Sequence, residues 1–271
     1  MKIKTIPTGG LCNRMRAMAS SISIAKKLHA TLTILWNKYE GLEADFEDLF
    51  LPFSEGNIHI VNTTKWLYQV NYKIDYFKRY LIYKSLFSQT IFNYNIYAQS
   101  KDLTNKIRTK VKQPVLLISG SPMCNDYSKE LVSLFKPQAD IQKRIDNITA
   151  KFSEYTIGVH IRRTDNKASI SASPLQVFID IINKEIHTNN NAMFYIASDD
   201  SQVKEKLLKI FGKRIITNFE DTSRNSLNGM KFAVVDLFCL SKTQKIIGSI
   251  SSSYSQLAAD LGDINIEYAG K

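Results

Sequence analysis

The chain has 271 residues, of which 44% are hydrophobic and 23% charged, and its formal net charge is +11. This composition supports a packed core and excludes a disordered chain, and the length favours two domains of ordinary size. No apolar run approaches the roughly 20 residues that span a bilayer, and three cysteines without a CxxC pair exclude a disulfide scaffold or zinc framework.

The positive charge is concentrated in the first half of the chain. Residues 1–150 carry 21 Lys and Arg against 12 Asp and Glu, whereas residues 151–271 carry 15 against 13. A basic first half indicates an anionic partner, and charge alone leaves nucleic acid, acidic glycan, phospholipid and phosphate open. The N-terminus lacks the apolar core of a signal peptide, so we expect a cytoplasmic protein.

The first half begins with a strand, a turn and a helix. A strand over 2–6 leads through Gly9-Gly10 into a helix over 13–28, and strands over 31–36, 58–61 and 115–119 are predicted to share one sheet. Residues 65–97 are rich in aromatics and lysine. They predict either helices that pack aromatics into the core or a surface that lies against an anionic membrane.

The second half alternates apolar strands with helices, a pattern typical of a parallel sheet covered on both faces. The predicted strands are 155–161, 193–197, 214–217, 245–248 and 264–268, and the predicted helices are 175–187, 203–211, 230–240 and 256–261. We therefore predict an α/β protein of two Rossmann-like domains, 1–150 and 151–271, that face each other across a cleft.

Two adjacent arginines follow the strand over 155–161. The segment His160-Ile161-Arg162-Arg163-Thr164-Asp165 stands at the carboxyl end of that strand, where open α/β sheets bind ligands. The guanidinium fork binds phosphate oxygens in bidentate fashion, so the pair predicts a diphosphate site, with Asp165 holding one arginine. The alternative is a surface cluster of ion pairs.

Acidic residues occur in two further segments. Asp199 and Asp200 follow the next strand, where they either cap the helix after them or bind a hydroxyl or arginine. No histidine or further acid accompanies them in the sequence, so no metal site is predicted. Asp236 is the single acid of an apolar helix, and it is either solvated or paired with a ligand such as the donor edge of guanine.

Two turns resemble anion-binding loops. Ser249-Ile250-Ser251-Ser252 joins a strand to a helix and offers hydroxyls and backbone N–H groups to an anion. In the first half, Gly9 and Gly10 would let the backbone approach a ligand, with Asn13 and Arg14 directed into the cleft. The turn matches neither a dinucleotide fingerprint nor a P-loop.

The ordered set of motifs resembles the fucosyltransferase superfamily, particularly its α-1,6-fucosyltransferase and nodulation branch, and the Gly9 turn is similar to bacterial α-1,2-fucosyltransferases. The second half carries the resemblance almost continuously, through His-Ile-Arg-Arg-Thr-Asp, Ser173-Pro174-Leu175, Tyr195-Ile196-Ala197-Ser198-Asp199-Asp200, Asn225-Ser226-Leu227-Asn228-Gly229, Val235-Asp236-Leu237 and Ser249-Ile250-Ser251-Ser252.

The resemblance implies a GT-B fold without bound metal or other cofactor, GDP-fucose as donor and inversion at the anomeric carbon. It implies that Arg162 binds the β-phosphate, with Arg163 and Asp165 in the same loop. It also implies that Asp236 reads guanine near the backbone of His160. Ser251 and Ser252 would bind phosphate, and Asp199 and Asp200 would shape the donor pocket.

One departure concerns the acceptor. The α-1,6 branch has a lysine directly after the Arg-Arg-Thr-Asp run and a glutamate a few residues later, where this chain has Asn166 and Ile170. The base is therefore unassigned, Asp165 is the candidate, and the α-1,6 linkage to N-glycans is not implied.

The predicted function is a metal-independent, inverting transfer of fucose from GDP-fucose to a bacterial surface or lipid-linked oligosaccharide. The location is cytoplasmic, with peripheral contact to the inner face of an anionic membrane. Two alternatives stay open: a non-catalytic protein that binds sugar nucleotides or glycans, and a basic nucleic-acid-binding protein. The second lacks any recognisable nucleic-acid motif, so no nucleic-acid partner is predicted.

Overall fold

The computed structural model describes residues 1–39, 41–70, 73–93, 102–127, 134–164 and 167–270. The chain divides into two α/β units: Met1–Gln138 with Ser223–Met230, and Ala139–Thr222 with Lys231–Lys271. A single boundary near residue 150 was predicted from the sequence. In the structure the chain changes unit three times, because a short segment after residue 222 returns to the first unit.

The first unit is built on a five-stranded sheet in the order β3-β2-β1-β5-β4, with every pairing parallel. Its strands are β1 (Lys2–Pro7), β2 (Thr31–Asn37), β3 (Ile58–Thr63), β4 (Gln89–Asn93) and β5 (Val115–Ser119). Its helices are α1 (Leu11–Lys27), α2 (Phe46–Leu49) and α3 (Lys73–Leu86), with 3-10 turns at Trp66–Tyr68 and Thr104–Lys106.

The core of the first unit follows from the apolar spacing of these elements. Met15, Met18 and Ile22 recur at helical spacing along α1 and are fully buried. From the aromatic segment, Tyr83 and Phe87 pack into one cluster with strand residues of β1, β2 and β5. The prediction that this segment packs aromatics into the core is thus confirmed for these two rings.

The second unit repeats the parallel architecture in the order β10-β9-β6-β7-β8. Its strands are β6 (Thr156–Ile161), β7 (Met193–Ser198), β8 (Ile215–Ile216), β9 (Lys245–Ser249) and β10 (Asn265–Ala269). The helices of this half are α4 (Ala139–Thr149), α5 (Lys167–Ala172), α6 (Leu175–Thr188), α7 (Ser201–Phe211), α8 (Leu227–Leu240) and α9 (Ser253–Gly262), with a 3-10 turn at Gly212–Arg214.

Both sheets reverse their strand order beside their first strand. In the second unit β7 and β8 lie on one side of β6, and β9 and β10 lie on the other. In the first unit β2 and β3 lie on one side of β1, and β5 and β4 on the other. Ligands of open α/β sheets bind outside the carboxyl ends of the strands at such a reversal. The arginine loop follows β6, and the Gly9-Gly10 turn follows β1.

No helix in the parts of the chain that the structure describes is long and apolar enough to cross a bilayer.

Candidate functional site

The loop after β6 is held by one carboxylate. Asp199, which follows β7, accepts hydrogen bonds from the Arg163 backbone N–H (2.7 Å) and from the Thr164 hydroxyl (2.6 Å). Its second oxygen lies 3.3 Å from Nε of Arg162. Parallel pairing of β6 with β7 brings the two strand ends together, so a residue 37 positions further on in the chain orients the arginine. The Arg162 side chain remains 22% exposed.

The Arg163 guanidinium is turned into the protein. Its Nη1 donates to the Arg162 carbonyl oxygen (3.1 Å), its Nη2 donates to the Ser173 carbonyl oxygen (2.9 Å), and its Cζ lies 5.8 Å from the ring centroid of Phe178. Burial lowers the pKa of Arg163, opposed by the charges of Asp199 and Asp200. Arg163 therefore braces the loop, whereas Arg162 lies beside Asp199, and both side chains are half-buried.

Strand β9 supports the same loop from the other side. The Ser249 hydroxyl accepts a hydrogen bond from the Arg162 backbone N–H (3.0 Å) and donates to the His160 carbonyl oxygen (3.3 Å). Ser249 is fully buried. The arginine loop is thus fixed by both neighbours of β6 at the point where the strand order reverses.

The His160 ring is enclosed by α9. Its Nδ1 lies 2.8 Å from the Ser255 hydroxyl and 3.4 Å from that of Ser252, and its ring stacks on Tyr254 with centroids 4.7 Å apart. Burial, aided by the charge of Arg162, lowers the pKa of His160 to about 4. The imidazole is therefore neutral at pH 7, and it positions the start of α9.

The serine turn forms the amino end of α9. Ser251 has a φ of 59°, in the left-handed region, and its side chain is exposed. Ser252 is the N-cap residue, and its hydroxyl accepts a hydrogen bond from the Ser255 N–H. Backbone N–H groups at such a turn attract an anion.

Asp236 lies in a separate polar network on α8. Its side chain is buried, and Oδ1 accepts hydrogen bonds from the Tyr195 hydroxyl and from Asn218 Nδ2 (3.3 Å). The buried Lys204 donates from Nζ to the Asn218 carbonyl oxygen (3.0 Å). Burial raises the pKa of Asp236, whereas the charge of Lys204 and the two hydrogen bonds lower it.

Tyr254 connects the two groups of residues. It stacks on His160, and its hydroxyl donates to the Ala233 carbonyl oxygen, one turn before Asp236 on α8. Within the second unit, the structure thus links the arginine loop, the serine turn and the acid of α8. Asp200 is the N-cap residue of α7, and its side chain accepts a hydrogen bond from the Gln202 N–H (2.9 Å). Capping was the first of the two predicted roles for this acidic pair.

The predicted residues of the first unit surround the turn after β1. Gly9 has a φ of +80°, and an added Cβ would lie 3.0 Å from Asn13 Nδ2, so the turn requires glycine. Gly10 is the N-cap residue of α1, and Asn13 is partly exposed.

Arg14 differs from the expectation of a side chain that points to a ligand, because it has no exposed surface. Its Nε donates to the Gly9 carbonyl oxygen (3.0 Å), its Nη1 donates to the Asn37 carbonyl oxygen (2.6 Å), and its Cζ lies 4.5 Å from the ring centroid of Tyr39. The helical spacing that buries one face of α1 also buries this position. Arg14 therefore holds the glycine turn from within the core.

Asp165, the predicted base, and Asn166 lie outside the described residues. Ile170 lies on α5 and is half-buried. Across the ranges the structure describes, no group of three or more His, Cys, Asp or Glu side chains is arranged to hold a metal ion.

Several residues of the site had no role assigned from the sequence. Thr164, Ser173 and Tyr195 stood in the motifs without one, and Lys204, Asn218, Tyr254 and Ser255 stood outside them. One of them could have been found from the sequence: Lys204 lies on the apolar face of α7, and a charge at a buried position needs a partner. The remaining contacts join residues far apart in the chain, and no local pattern marks them.

The whole chain superposes on solved fucosyltransferases. NodZ alpha-1,6-fucosyltransferase, soaked with GDP-fucose, matches with a TM-score of 0.67 and 16% identity over 96% of this chain and 93% of that chain. FUT1 of Arabidopsis thaliana, in complex with GDP, gives a TM-score of 0.59 and 14% identity over 98% and 70%. POFUT1 in complex with GDP-fucose gives 0.58 and 10% over 100% and 98%.

No protein-family profile and no curated protein matches the sequence. At identities of 16% and below, the structural likeness shows the fold. The predicted fold class, α/β of the GT-B type, is confirmed by these superpositions and by the two parallel sheets.

Proposed function

We propose that this protein is a glycosyltransferase that moves fucose from GDP-fucose to a saccharide acceptor. The observation that carries the proposal is the arginine loop at the strand-order reversal of the second sheet, where Arg162 is oriented by Asp199 and Ser249 yet stays partly exposed. The shared fold supports it, because NodZ and POFUT1 have been solved with GDP-fucose.

The proposed chemistry follows the movement of charge. As the bond between fucose and the diphosphate breaks, negative charge grows on the β-phosphate and the sugar acquires oxocarbenium character. Arg162 and the N–H groups at the start of α9, next to Ser251 and Ser252, are the proposed donors that stabilise this charge. Because His160 is neutral at pH 7, it adds no charge of its own.

Guanine selection is assigned to Asp236. A carboxylate pairs well with two N–H groups on the edge of guanine, and adenine and uracil do not present such a pair of donors. Tyr195 and Asn218 both bind Oδ1, and no donor from the described residues binds Oδ2. Oδ2 of the ionised carboxylate is the oxygen that we assign to accept both N–H groups of the guanine edge.

The remaining parts of the proposal concern the acceptor and its activation. We assign Gly9, Gly10 and Asn13 to the acceptor side and Asp165 as the base, with inversion at the anomeric carbon and no metal ion. Proton transfer to the leaving diphosphate would serve equally well in place of a protein base. The acceptor is a bacterial surface or lipid-linked oligosaccharide, and the reaction takes place in the cytoplasm at the inner face of the membrane.

Thermal unfolding with different nucleotides tests the donor assignment. A ligand present at 100 times its Kd stabilises the folded state by about 2.7 kcal/mol, which raises Tm by roughly 5 °C for a chain of this size. We expect this shift with GDP and GDP-fucose and little shift with UDP or ADP at equal concentration. Selective stabilisation by UDP or ADP would overturn the assignment of Asp236.

A turnover measurement separates the enzyme from a binding protein. GDP-fucose is supplied together with saccharide acceptors, and the release of GDP is followed. We expect acceptor-dependent release. A protein that binds GDP-fucose and consumes none of it with any acceptor would instead be the non-catalytic alternative.

A further inference from the structure

Helix α3 of the first unit has two apolar faces, and the sheet covers one of them. Tyr83 is fully buried and Phe87 nearly so, and both pack against the residues of β1 and β5 in the core. Tyr76 stacks on Phe92 of β4 with centroids 4.9 Å apart. These contacts fix the orientation of α3, so its opposite face is directed away from the core of its unit.

The opposite face carries large apolar side chains in the open. Ile74, Phe77 and Leu81 are 63%, 59% and 79% exposed, and their spacing of three and four residues aligns them in one stripe about 10 Å long. Trp66, also 59% exposed, lies on a different side of the helix, where Arg79 donates to its carbonyl oxygen (3.0 Å). Single exposed apolar residues are ordinary, whereas a contiguous group of this kind marks an interaction surface.

The stripe is bordered by lysines without acidic partners. Lys73, Lys78 and Lys84 are exposed, and no carboxylate among the described residues pairs with any of them. The only acid of α3, Asp75, is engaged by Arg79 at 3.6 Å. Lys73 Nζ also lies 5.7 Å from the Phe77 ring centroid, so charged and apolar groups are interleaved.

We propose that this face of α3 docks on an anionic lipid surface. An aromatic and aliphatic stripe bordered by lysines is the chemistry by which a surface helix lies in a membrane interface, where apolar side chains enter the acyl boundary and lysines meet anionic headgroups. A second copy of the same face is disfavoured, because pairing the two would bring like-charged lysine borders together. The contact uses none of the residues assigned to the donor.

Vesicle binding tests the proposal directly. The full-length protein is co-sedimented, without nucleotide, with vesicles of phosphatidylcholine alone or with 30% phosphatidylserine. We expect at least tenfold stronger binding to the anionic vesicles at low salt, weakening as salt is raised, because each lysine near such a surface contributes a factor of roughly five. The same affinity for both vesicle types, or no binding at low salt, would overturn the proposal.

Two sets of variants separate charge from insertion. Lys73→Gln with Lys78→Gln and Lys84→Gln should weaken binding roughly 100-fold. Phe77→Ser with Leu81→Ser should weaken it at least tenfold, since the apolar side chains enter the interface. If the Phe77→Ser, Leu81→Ser variant bound vesicles as well as the wild type, the stripe would not enter the membrane. Electrostatic adsorption would then account for the binding, and the proposal would be wrong.

Matched controls come from α7, which also exposes lysines and an apolar side chain. Lys206→Gln with Lys209→Gln, and Ile210→Ser, should leave vesicle binding unchanged. The stabilisation by GDP should be the same in the α3 variants as in the wild type, which keeps this test independent of the donor assignment. A concentration-dependent dimer that Phe77→Ser abolishes, without vesicle binding, would identify a second copy as the occupant and refute the lipid surface.

Discussion

Arg162 and Arg163 are neighbours in the chain, yet their guanidinium groups have different surroundings. That of Arg163 donates to two carbonyl oxygens and lies over Phe178. That of Arg162 stays partly exposed beside Asp199. Both arginines lie in the loop directly after β6, which ends at Ile161. Arg163 therefore supports the loop, and Arg162 is the arginine that we propose binds the phosphate.

Arg162→Ala is expected to lower the rate of fucosyl transfer by roughly 100-fold or more with the fold intact. Removing one donor to a developing oxyanion typically costs ~2.7–4 kcal/mol of barrier. The loop should persist, because Ser249 and Asp199 bind backbone N–H groups that alanine retains. Initial rates of GDP release and the circular dichroism spectrum measure the two properties.

The matched control for this change is Arg108→Ala, at an exposed arginine of the first unit. It removes the same charge from the protein and should leave the rate unchanged. A folded Arg162→Ala protein that turns over at the wild-type rate would show that another group stabilises the diphosphate.

Lys204→Met is expected to shift the pH dependence of GDP binding. Burial raises the pKa of Asp236, and the charge of Lys204 is the largest influence that lowers it. Without that charge the pKa of Asp236 rises further. As pH falls, the variant should therefore lose affinity for GDP at a higher pH than the wild type. Calorimetric titrations with GDP across the acidic range measure the shift.

Lys206→Met is the control for this experiment, because Lys206 lies on the exposed side of the same helix. Its GDP profile should coincide with that of the wild type. Superimposable profiles for Lys204→Met and the wild type would contradict the role of Lys204 as a positioning residue for Asp236.

At the scale of elements, the site depends on how closely α9 approaches β9. A Cβ added to Gly248 would lie 2.7 Å from Cβ and Oγ of Ser255, the residue whose hydroxyl binds His160. A glycine in a strand interior often marks a close approach of this kind. Glycine at this position lets Ser255, near the start of α9, come close enough to β9 for its hydroxyl to contact the His160 ring.

Gly248→Ala is expected to lower the free energy of unfolding by about 1–3 kcal/mol, the usual cost of overpacking. Urea unfolding measures the change. Gly56→Ala is the control, since an added Cβ there meets nothing within 4 Å, and it should change stability by less than ~0.5 kcal/mol. Wild-type stability of Gly248→Ala would mean that α9 moves away at no cost.

The regular elements were predictable where burial is complete. Strands that are buried on both faces form short apolar runs, so β5 was predicted with the bounds that the structure has, and β6 to within one residue. Strand β4, Gln89–Asn93, was missed because it is only half-buried and mixes polar with apolar residues. The exposed stripe of α3 was not separable from its core face, because both are aromatic or aliphatic.

At the scale of the molecule, the sequence predicted the α/β class and the strand ends that carry the candidate site. A strand end is a local feature, and parallel pairing then places neighbouring ends at one edge of a sheet. The hydrogen bonds between Asp199 and the arginine loop, or Tyr195 and Asp236, depend on register and helix packing. Those distances are set by the whole fold, which no window of residues contains.

The return of Ser223–Met230 to the first unit has a consequence for recombination. Units joined by one linker can be exchanged between related genes by a single crossover. Here such a crossover at residue 138 would carry eight foreign residues into the first unit, and the junction at residue 230 falls inside α8 (Leu227–Leu240). The second unit can therefore be inherited intact only together with a matching segment of the first unit. The two halves of this chain are accordingly expected to diverge as one lineage.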